Sequence, residues 1–450
     1  MATIAAISTP QGVGGISVIR LSGKEAKNIA SKVFTCFSDD NFKNIEPRKM
    51  YLGTFKAESF NEKCMAVYFK APNSYTGEDI VEFQCHGGTV IANGILNALL
   101  NNGAELAGPG EFTKRAFING KLSLDEAEGV MDMINAESES EVRAGYNLLN
   151  GNLNKEITSL QNELTKLLAK IEVVLDYPEN DYEDQTSQEV TNQLLIVKQK
   201  IDNLIKTSGT GMMIKNGSKV LILGKPNVGK SSLLNAILNY ERAIVTNIKG
   251  TTRDILEESF VYNGVKFVLT DTAGVHESQD VVEKIGIEKA KQAINYADII
   301  LVVLDASEAL EAEDKQILDL VKNKKTILVL NKSDLPHKID LSGYNFDYVY
   351  NISALKKEGI ENLKENIYNL VIDKNIISSN ILITSKRHLL ALKKAIKSCD
   401  EALNSLSLGN TLDIVSLDIK NVWLALGEIT GNSNNESIIT EIFNSFCVGK

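Results

Sequence analysis

The spacing of apolar residues changes twice along the chain. Up to about residue 120, short apolar runs alternate with Gly/Pro turns: Ile16-Ser17-Val18-Ile19, Cys64-Met65-Ala66-Val67-Tyr68-Phe69 and Ile80-Val81-Glu82-Phe83-Gln84-Cys85. Such runs predict strands, with a helix over Thr89 to Leu100, and so an N-terminal α+β domain at 1–120. From Ser123 the period lengthens. Leu153, Ile157, Leu160, Leu164, Leu168, Ile171 and Leu175 recur every three or four residues, which puts them on one face of a long helix. Tyr177-Pro178 and the acidic stretch 179–184 interrupt it before a second helical pattern that runs to about Ile205. Leu389, Leu392, Ile396, Cys399 and Leu403 restart the signature near the C-terminus. A discontinuous helical domain, 121–215 plus 376–450, therefore encloses an inserted block at 216–375.

That block repeats strand then helix. Its candidate strands, Lys219–Leu223, Lys266–Thr270, Ile299–Leu304, Thr326–Leu330 and Tyr348–Ile352, are continuous apolar runs that suit a mostly parallel sheet covered on both faces. The chain is multidomain on this reading. Its 450 residues, 43% hydrophobic and 24% charged, exclude global disorder. Lys and Arg total 48 against 58 Asp and Glu, a net charge of -10, so the surface is not a general nucleic-acid coat. No apolar run is long enough for a membrane helix, Met1-Ala2-Thr3-Ile4 has no basic n-region, and five widely spaced cysteines form no disulfide framework. A cytoplasmic protein without membrane partners is expected.

The chemistry concentrates in the inserted block. Gly224-Lys225-Pro226-Asn227-Val228-Gly229-Lys230-Ser231 follows a strand and opens a helix through Ser232. This is a P-loop in its required context: backbone N–H groups face phosphates, Lys230 reaches the β/γ oxygens and Ser231 offers a hydroxyl to Mg²⁺. Asn331-Lys332-Ser333-Asp334 follows a later strand. The Asp334 carboxylate can accept from both N1–H and the 2-amino group of guanine, a donor pair that adenine lacks. Ser353-Ala354-Leu355 suits the loop beneath the guanine carbonyl. GTP is the expected nucleotide. Asp271-Thr272-Ala273-Gly274 can hold a magnesium-bound water and meet the γ-phosphate, and a threonine of Gly250-Thr251-Thr252-Arg253-Asp254 can complete the Mg²⁺ shell. A Ras-like P-loop GTPase domain is expected. Val275 stands where small signalling GTPases carry a water-orienting glutamine, so His276, Glu277, Asp280 and Glu283 all remain open for that task.

Outside this block, Glu82, Gln84 and His86 alternate onto one strand face, either the solvated face of an edge strand or a ligand-lined one. Arg20, Arg115 and Lys121 are candidate anion contacts. The terminal Phe446-Cys447-Val448-Gly449-Lys450 carries a thiol on a segment whose position favours fraying; from the pattern alone, packing and fraying outweigh catalysis.

Together these phrases, with Tyr75-Thr76-Gly77-Glu78-Asp79, Cys85-His86-Gly87-Gly88 and Gly108-Pro109-Gly110-Glu111-Phe112-Thr113-Lys114-Arg115-Ala116-Phe117-Ile118-Asn119-Gly120-Lys121-Leu122, resemble the MnmE/TrmE family of tRNA uridine 5-carboxymethylaminomethyl modification GTPases over essentially the whole chain. The resemblance implies a homodimer that binds 5,10-methylenetetrahydrofolate or a related folate. It also implies an FAD-containing partner, MnmG (GidA), and action with it on C5 of the wobble uridine of certain tRNAs. Arg20, Glu82, Lys121 and Lys450 fall on folate positions, and Cys447 on a cysteine needed for modification. Asn227, Thr246, Ile248 and Thr251 fall on K⁺ positions, Ser231 and Thr252 on Mg²⁺ positions, and Glu283 on the acid that orients water. Asn247, Lys249 and Gly250 join the nucleotide set. A regulatory GTPase switch in ribosome assembly or signalling, without modification chemistry, shares every G-domain motif and is the alternative.

Overall fold

The computed structural model describes residues 1–38, 42–177, 183–238, 258–271, 291–372, 380–433 and 436–449. Packing divides the chain into two units: residues 1–131, 147–197 and 394–450 form one, and 132–146 with 198–393 form the other.

The first unit contains a seven-stranded sheet. Its strands are β1 (Ile4–Ile7), β2 (Ile16–Ser22), β3 (Phe34–Cys36), β4 (Met50–Lys56), β5 (Asn61–Phe69), β6 (Ile80–His86) and β7 (Glu105–Leu106), in the order β3-β4-β5-β6-β2-β1-β7. All neighbours are antiparallel except β1 and β7. Helices α1 (Ala26–Val33) and α2 (Thr89–Asn101) cover one face. Alternate residues, among them Ile19, Leu21, Val81, Phe83, Phe55 and Ala66, turn to that side with Ile29, Ile95 and Leu99 and exclude water. Because β6 is paired with both β5 and β2, the edge-strand reading of Glu82, Gln84 and His86 is wrong. Short helix α3 (Glu111–Ile118) ends at the Asn119-Gly120-Lys121 turn, where Lys121 N–H bonds Ala116 O.

The helices that follow are α4 (Leu124–Asn135), α5 (Glu139–Leu149), α6 (Asn152–Asp176), α7 (Glu183–Lys206) and α8 (Ser208–Asn216). The long helix anticipated from periodicity is α6. Its buried stripe runs Leu153, Ile157, Leu160, Gln161, Leu164, Leu167 and Ile171, so Leu167 replaces Leu168, and Leu175 is exposed. At a period of 3.6, steps of three and four must alternate to stay on one face, and Leu167 is the step of three after Leu164. Near the C-terminus lie α12 (Lys386–Ser407), α13 (Leu412–Thr430) and α14 (Glu436–Asn444). Helix α13 packs along α6, and Gln161 Nε2 donates to Trp423 O at 3.0 Å. On α12 the buried line passes through Ala391, Leu392, Ala395, Cys399 and Ala402, while Leu389, Ile396 and Leu403 flank it half-buried. Alanines let the neighbouring backbone come close, and the larger residues fill the margins.

The second unit contains a six-stranded sheet ordered β13-β12-β11-β8-β10-β9. Strands β8 (Ser218–Leu223), β10 (Val265–Asp271), β11 (Ile299–Asp305), β12 (Thr326–Asn331) and β13 (Val349–Asn351) are parallel, as expected. Helices α9 (Lys230–Leu238), α10 (Ala312–Val321) and α11 (Ile360–Val371) belong to this unit, and two apolar clusters flank the sheet. Strand β9 (Glu258–Tyr262) was not anticipated; it pairs antiparallel with β10 through the two-residue turn Asn263-Gly264. Both turn residues have positive φ, 48° and 76°, as a type I′ hairpin turn requires. A multidomain chain with an N-terminal mixed domain, a discontinuous helical part and a Ras-like P-loop fold is thus present. No helix among the described residues is long and apolar enough to cross a membrane.

Leu164 is fully buried between α6 and its neighbours. Leu164→Ala should cost about 2–5 kcal/mol through lost transfer energy and cavity formation. A urea titration of the helical circular-dichroism signal should show its midpoint falling accordingly.

Candidate functional site

Strand β8 delivers the phosphate loop and α9 receives it, so backbone N–H groups and the positive helix end face one point. The loop needs unusual dihedrals. Gly224, Asn227 and Gly229 have φ of 156°, 66° and 97°. A Cβ on Gly224 would strike Val303 O, and one on Gly229 would strike the Asn331 amide. The Lys230 ammonium folds over the loop and donates to Gly224 O and Lys225 O at 2.7 and 2.8 Å. Ser231 and Ser232 are exposed at the helix start, Asn227 is exposed in the loop, and Val228 turns its side chain into the core.

The base loop is tied to the phosphate loop by a single side chain. Asn331, buried at the end of β12, donates from Nδ2 to Val228 O at 2.8 Å and accepts from Ala354 N at 3.0 Å. Ser353 Oγ donates to Asp334 Oδ1 at 2.8 Å, which holds the Asp334 carboxyl below the usual carboxylate range. Lys332, at φ 61°, places its ammonium 2.5 Å from Asp305 Oδ2. Burial opposes ionisation of Asp305, but Lys332 and Ser307 outweigh it and hold the group ionised. Asp334 is thus a pre-oriented anion that can accept two hydrogen bonds from a base edge.

A second cluster lies on the first sheet, on the face opposite α1 and α2. Arg20 of β2 sits opposite Glu82 of β6 and donates Nε–H to Glu82 Oε1 at 2.7 Å. Its guanidinium lies 5.4 Å from the Tyr75 ring centre and 5.5 Å from that of Phe112. Tyr75 and Thr113 share a hydroxyl hydrogen bond of 2.9 Å. Burial pushes the Tyr75 phenol pKa up, against that bond and the Arg20 charge. Lys121 passes over Gly77, where an added Cβ would lie 3.4 Å from Lys121 Cε. Arg115 is not an anion contact. It is buried, and its donors go to Glu78, Glu111 and Ala2 O at 3.0, 2.7 and 2.8 Å. His86 likewise bonds Glu62, at 2.5 Å, and Gln84 lies between Val18 and Met65.

The C-terminal segment is tied down. Phe446 is buried with Phe443, Phe117, Leu124 and Ala127. Gly110 N–H bonds Cys447 O at 3.3 Å, and Val448 bridges Pro109. Gly449, at φ 97°, lies so close to Ile7 O that a Cβ would collide. Ile7 lies on β1, which pairs with β2, so the segment meets the sheet at the end of β1. The Cys447 thiol is exposed. By contrast, burial pushes the core thiols Cys64 and Cys85 to about 12 and about 11.

Among known families, the MnmE helical domain profile matches residues 124–447, and that of the GTP-binding protein TrmE N-terminus matches residues 3–121. The tRNA modification GTPase MnmE of Clostridioides difficile (strain 630) is 42% identical over 454 residues, covering 100% of this chain and 99% of the relative. The MnmE of Ligilactobacillus salivarius (strain UCC118) is 42% identical over 100% of this chain and 98% of its own. The chain belongs to the MnmE/TrmE family. Among solved structures, Aquifex aeolicus Era bound to GDP.AlF4- matches with a TM-score of 0.27 and 30% identity, covering 40% of this chain and 66% of that one.

Of the expected site positions, several lie outside the described residues: Thr246, Asn247, Ile248, Lys249, Gly250, Thr251, Thr252, Thr272, Ala273, Gly274, Glu283 and Lys450. So do the competing water-orienting candidates His276, Glu277 and Asp280. Of Asp271 only the backbone is described, at the end of β10 beside Ile222 of β8. Among the described residues, no cluster of three or more His, Cys, Asp or Glu is arranged to hold a metal. Sequence reasoning missed Tyr75 and Phe112 against Arg20, and Asp305 beneath Lys332. Tyr75 and Phe112 stood inside family phrases, but no spacing rule joins either to Arg20.

If Asp334 is the group that reads the base, Asp334→Asn keeps an acceptor for N1–H and turns a donor toward the guanine 2-amino group. GTP affinity should fall by about 100-fold, the scale of a buried polar mismatch, and xanthosine triphosphate, whose 2-oxo group accepts, should gain. Competition binding with both nucleotides checks this.

Proposed function

We propose that this chain is a GTP hydrolase that acts in modification of the tRNA wobble uridine. With an FAD-containing MnmG (GidA) partner, it installs an aminomethyl or carboxymethylaminomethyl group at C5. The observation that carries the nucleotide half is Asn331, which joins a phosphate loop to a carboxylate-bearing base loop. Support for the modification half comes from the family relatives and from an exposed thiol, Cys447, whose main chain is paired with Gly110.

In this reading the phosphates sit on the loop from Asn227 through Ser232, with Lys230 leaving Gly224 O and Lys225 O to meet the β/γ oxygens. Asp334 selects guanine, Lys332 covers it, and Ser353 and Ala354 support the carbonyl edge. Ser231, a hard oxygen donor at the helix start, fits Mg²⁺, with Thr252 as its second ligand and Asp271 acting through water. Asn227 offers an exposed amide oxygen suited to K⁺, together with Thr246, Ile248 and Thr251. A monovalent cation there supplies positive charge where negative charge develops on the phosphates. Glu283 orients water in place of the glutamine that Val275 replaces.

Arg20, Glu82, Lys121 and Lys450 hold a tetrahydrofolate such as the 5,10-methylene form. A pterin edge presents the same N–H and 2-amino donor pair as guanine, and Glu82 is a carboxylate of the kind that accepts it. Arg20 and the lysines suit the anionic tail. Residues 1–120 are the folate-binding and dimerisation domain, 121–215 and 376–450 the helical domain, and 216–375 the G domain. The protein works as a cytoplasmic homodimer.

Cys447→Ser should leave GTP turnover within about twofold of the parent while wobble-uridine modification is lost, because a hydroxyl is far less acidic and nucleophilic than a thiol. Mass spectrometry of tRNA nucleosides from cells carrying only the variant reads this. Persistence of the modified uridine in cells lacking the gene altogether would leave only a nucleotide switch. Replacing K⁺ by Na⁺ should slow hydrolysis by about tenfold or more, since an arginine in the same electrostatic role contributes at least that much. Phosphate release measured in the two salts at equal ionic strength tests it.

A further inference from the structure

The P-loop motif leaves the residue after its first glycine unspecified, and here that residue is Lys225. Its side chain is 9% exposed, with Nζ lying 3.0 Å from Glu311 Oε2, 3.2 Å from Glu308 Oε2 and 3.4 Å from Asp314 Oδ2. Burial disfavours the ammonium, but these carboxylates more than offset it, so Lys225 is held protonated. Its anchor is the start of α10. Glu311 is the N-cap of α10 and forms a reciprocal capping box with Asp314, in which the Asp314 carboxylate accepts from Glu311 N at 3.1 Å. The segment that leads into this helix begins at Asp305, which holds Lys332 of the base loop.

We propose that Lys225 is a positioning residue for GTP, anchoring the phosphate loop to the start of α10 in its phosphate-ready shape. The loop passes through left-handed or glycine-favoured backbone at Gly224, Asn227 and Gly229, and the Lys225 side chain ties that path to the start of α10. The Lys225 carbonyl is one of the two oxygens that receive the Lys230 ammonium and that Lys230 leaves for phosphate, so the lasting hold of Lys225 on the loop is its side chain's contact with the start of α10. Charge adds to geometry. Without the ammonium, Glu308, Glu311 and Asp314 would stand uncompensated beside a loop that must accept a polyphosphate. Any long cation serves this role, so arginine should substitute.

The inference rests on the GTPase reading above and is tested by steady-state GTP hydrolysis with the full chain. Lys225→Met should raise KM about tenfold with kcat within about twofold, the pattern of lost ground-state binding. Lys225→Arg should return KM to within about threefold of the parent. The double variant Glu308→Gln/Glu311→Gln alters two exposed carboxylates at 56% and 66% exposure and should raise KM about threefold without endangering the fold. It carries the test if Lys225→Met fails to fold. An unchanged KM in Lys225→Met overturns the proposal, and where that variant does not fold an unchanged KM in the double variant overturns it. So does a fall in kcat alone, or a Lys225→Arg protein no better than Lys225→Met. A parent protein that hydrolyses no GTP overturns the GTPase reading instead, and this inference with it.

Discussion

A buried amide with both ends occupied holds the nucleotide pocket together. Asn331 is almost wholly enclosed, so leaving either its N–H or its carbonyl unpaired would carry the full desolvation cost. The structure spends one end on the phosphate loop, at Val228 O, and the other on the base loop, at Ala354 N. Two loops from opposite ends of the motif sequence therefore keep a fixed separation before any nucleotide arrives. The same constraint explains Gly229, because no side chain fits between that backbone and the Asn331 amide. What reads in one dimension as independent signatures is one hydrogen-bonded object.

The pocket's surroundings extend this logic to residues that periodicity assigns elsewhere. Residues 132–146 read as helical-domain sequence, yet by packing they belong with the nucleotide unit. Ser140 N–H bonds Gly264 O at 3.0 Å, at the tip of the β9–β10 hairpin. Lys266 meets Glu137 at 2.7 Å, and Lys215 meets Asp132 at 2.7 Å. Burial raises the Glu141 pKa against its hydrogen bonds to Glu137 and Ser138 and the charge of Lys266, a sign of a close-packed junction. Strand β10 stands between β8, which feeds the phosphate loop, and β9, so this junction grips the strand that ends at Asp271.

Legibility followed the range of the interactions involved. Strand and helix identity in the nucleotide unit depends on local period and flanking glycines, and the parallel strands appeared within a residue or two of their expected limits. Strand β9 escaped because Glu258 to Tyr262 is a half-exposed edge with little apolar continuity; its only sharp signal was the Asn263-Gly264 turn. Arg115 and Arg20 show the limit more plainly. Both are arginines in a modestly charged domain, but one is consumed by Glu78 and Glu111 and the other lies over Tyr75 and Phe112. Glu78, Tyr75 and Phe112 come from distant positions, and no spacing rule joins them; only Glu111, four residues before Arg115 on α3, was within reach of a helical spacing rule. The stripe on α6 failed for a smaller reason: Leu167 and Leu168 both suit a helical repeat, and which one is buried depends on the helix it meets.

The end of the chain shows why an exposed thiol and an ordered backbone are compatible. A terminal peptide normally frays because its ordering entropy has nothing to offset it. Here Phe446 supplies apolar burial, the Cys447 carbonyl and Val448 supply backbone pairing, and Gly449 accepts a left-handed turn against Ile7 that any side chain would forbid. All three anchors leave the Cys447 side chain unused. Burial holds Cys64 and Cys85 as thiols inside the sheet core, whereas Cys447 alone combines fixed backbone with solvent access among the described cysteines. Order in the main chain and exposure of the sulfur therefore coexist at Cys447. That combination sets Cys447 apart from Cys64 and Cys85, whose sulfurs the sheet core encloses.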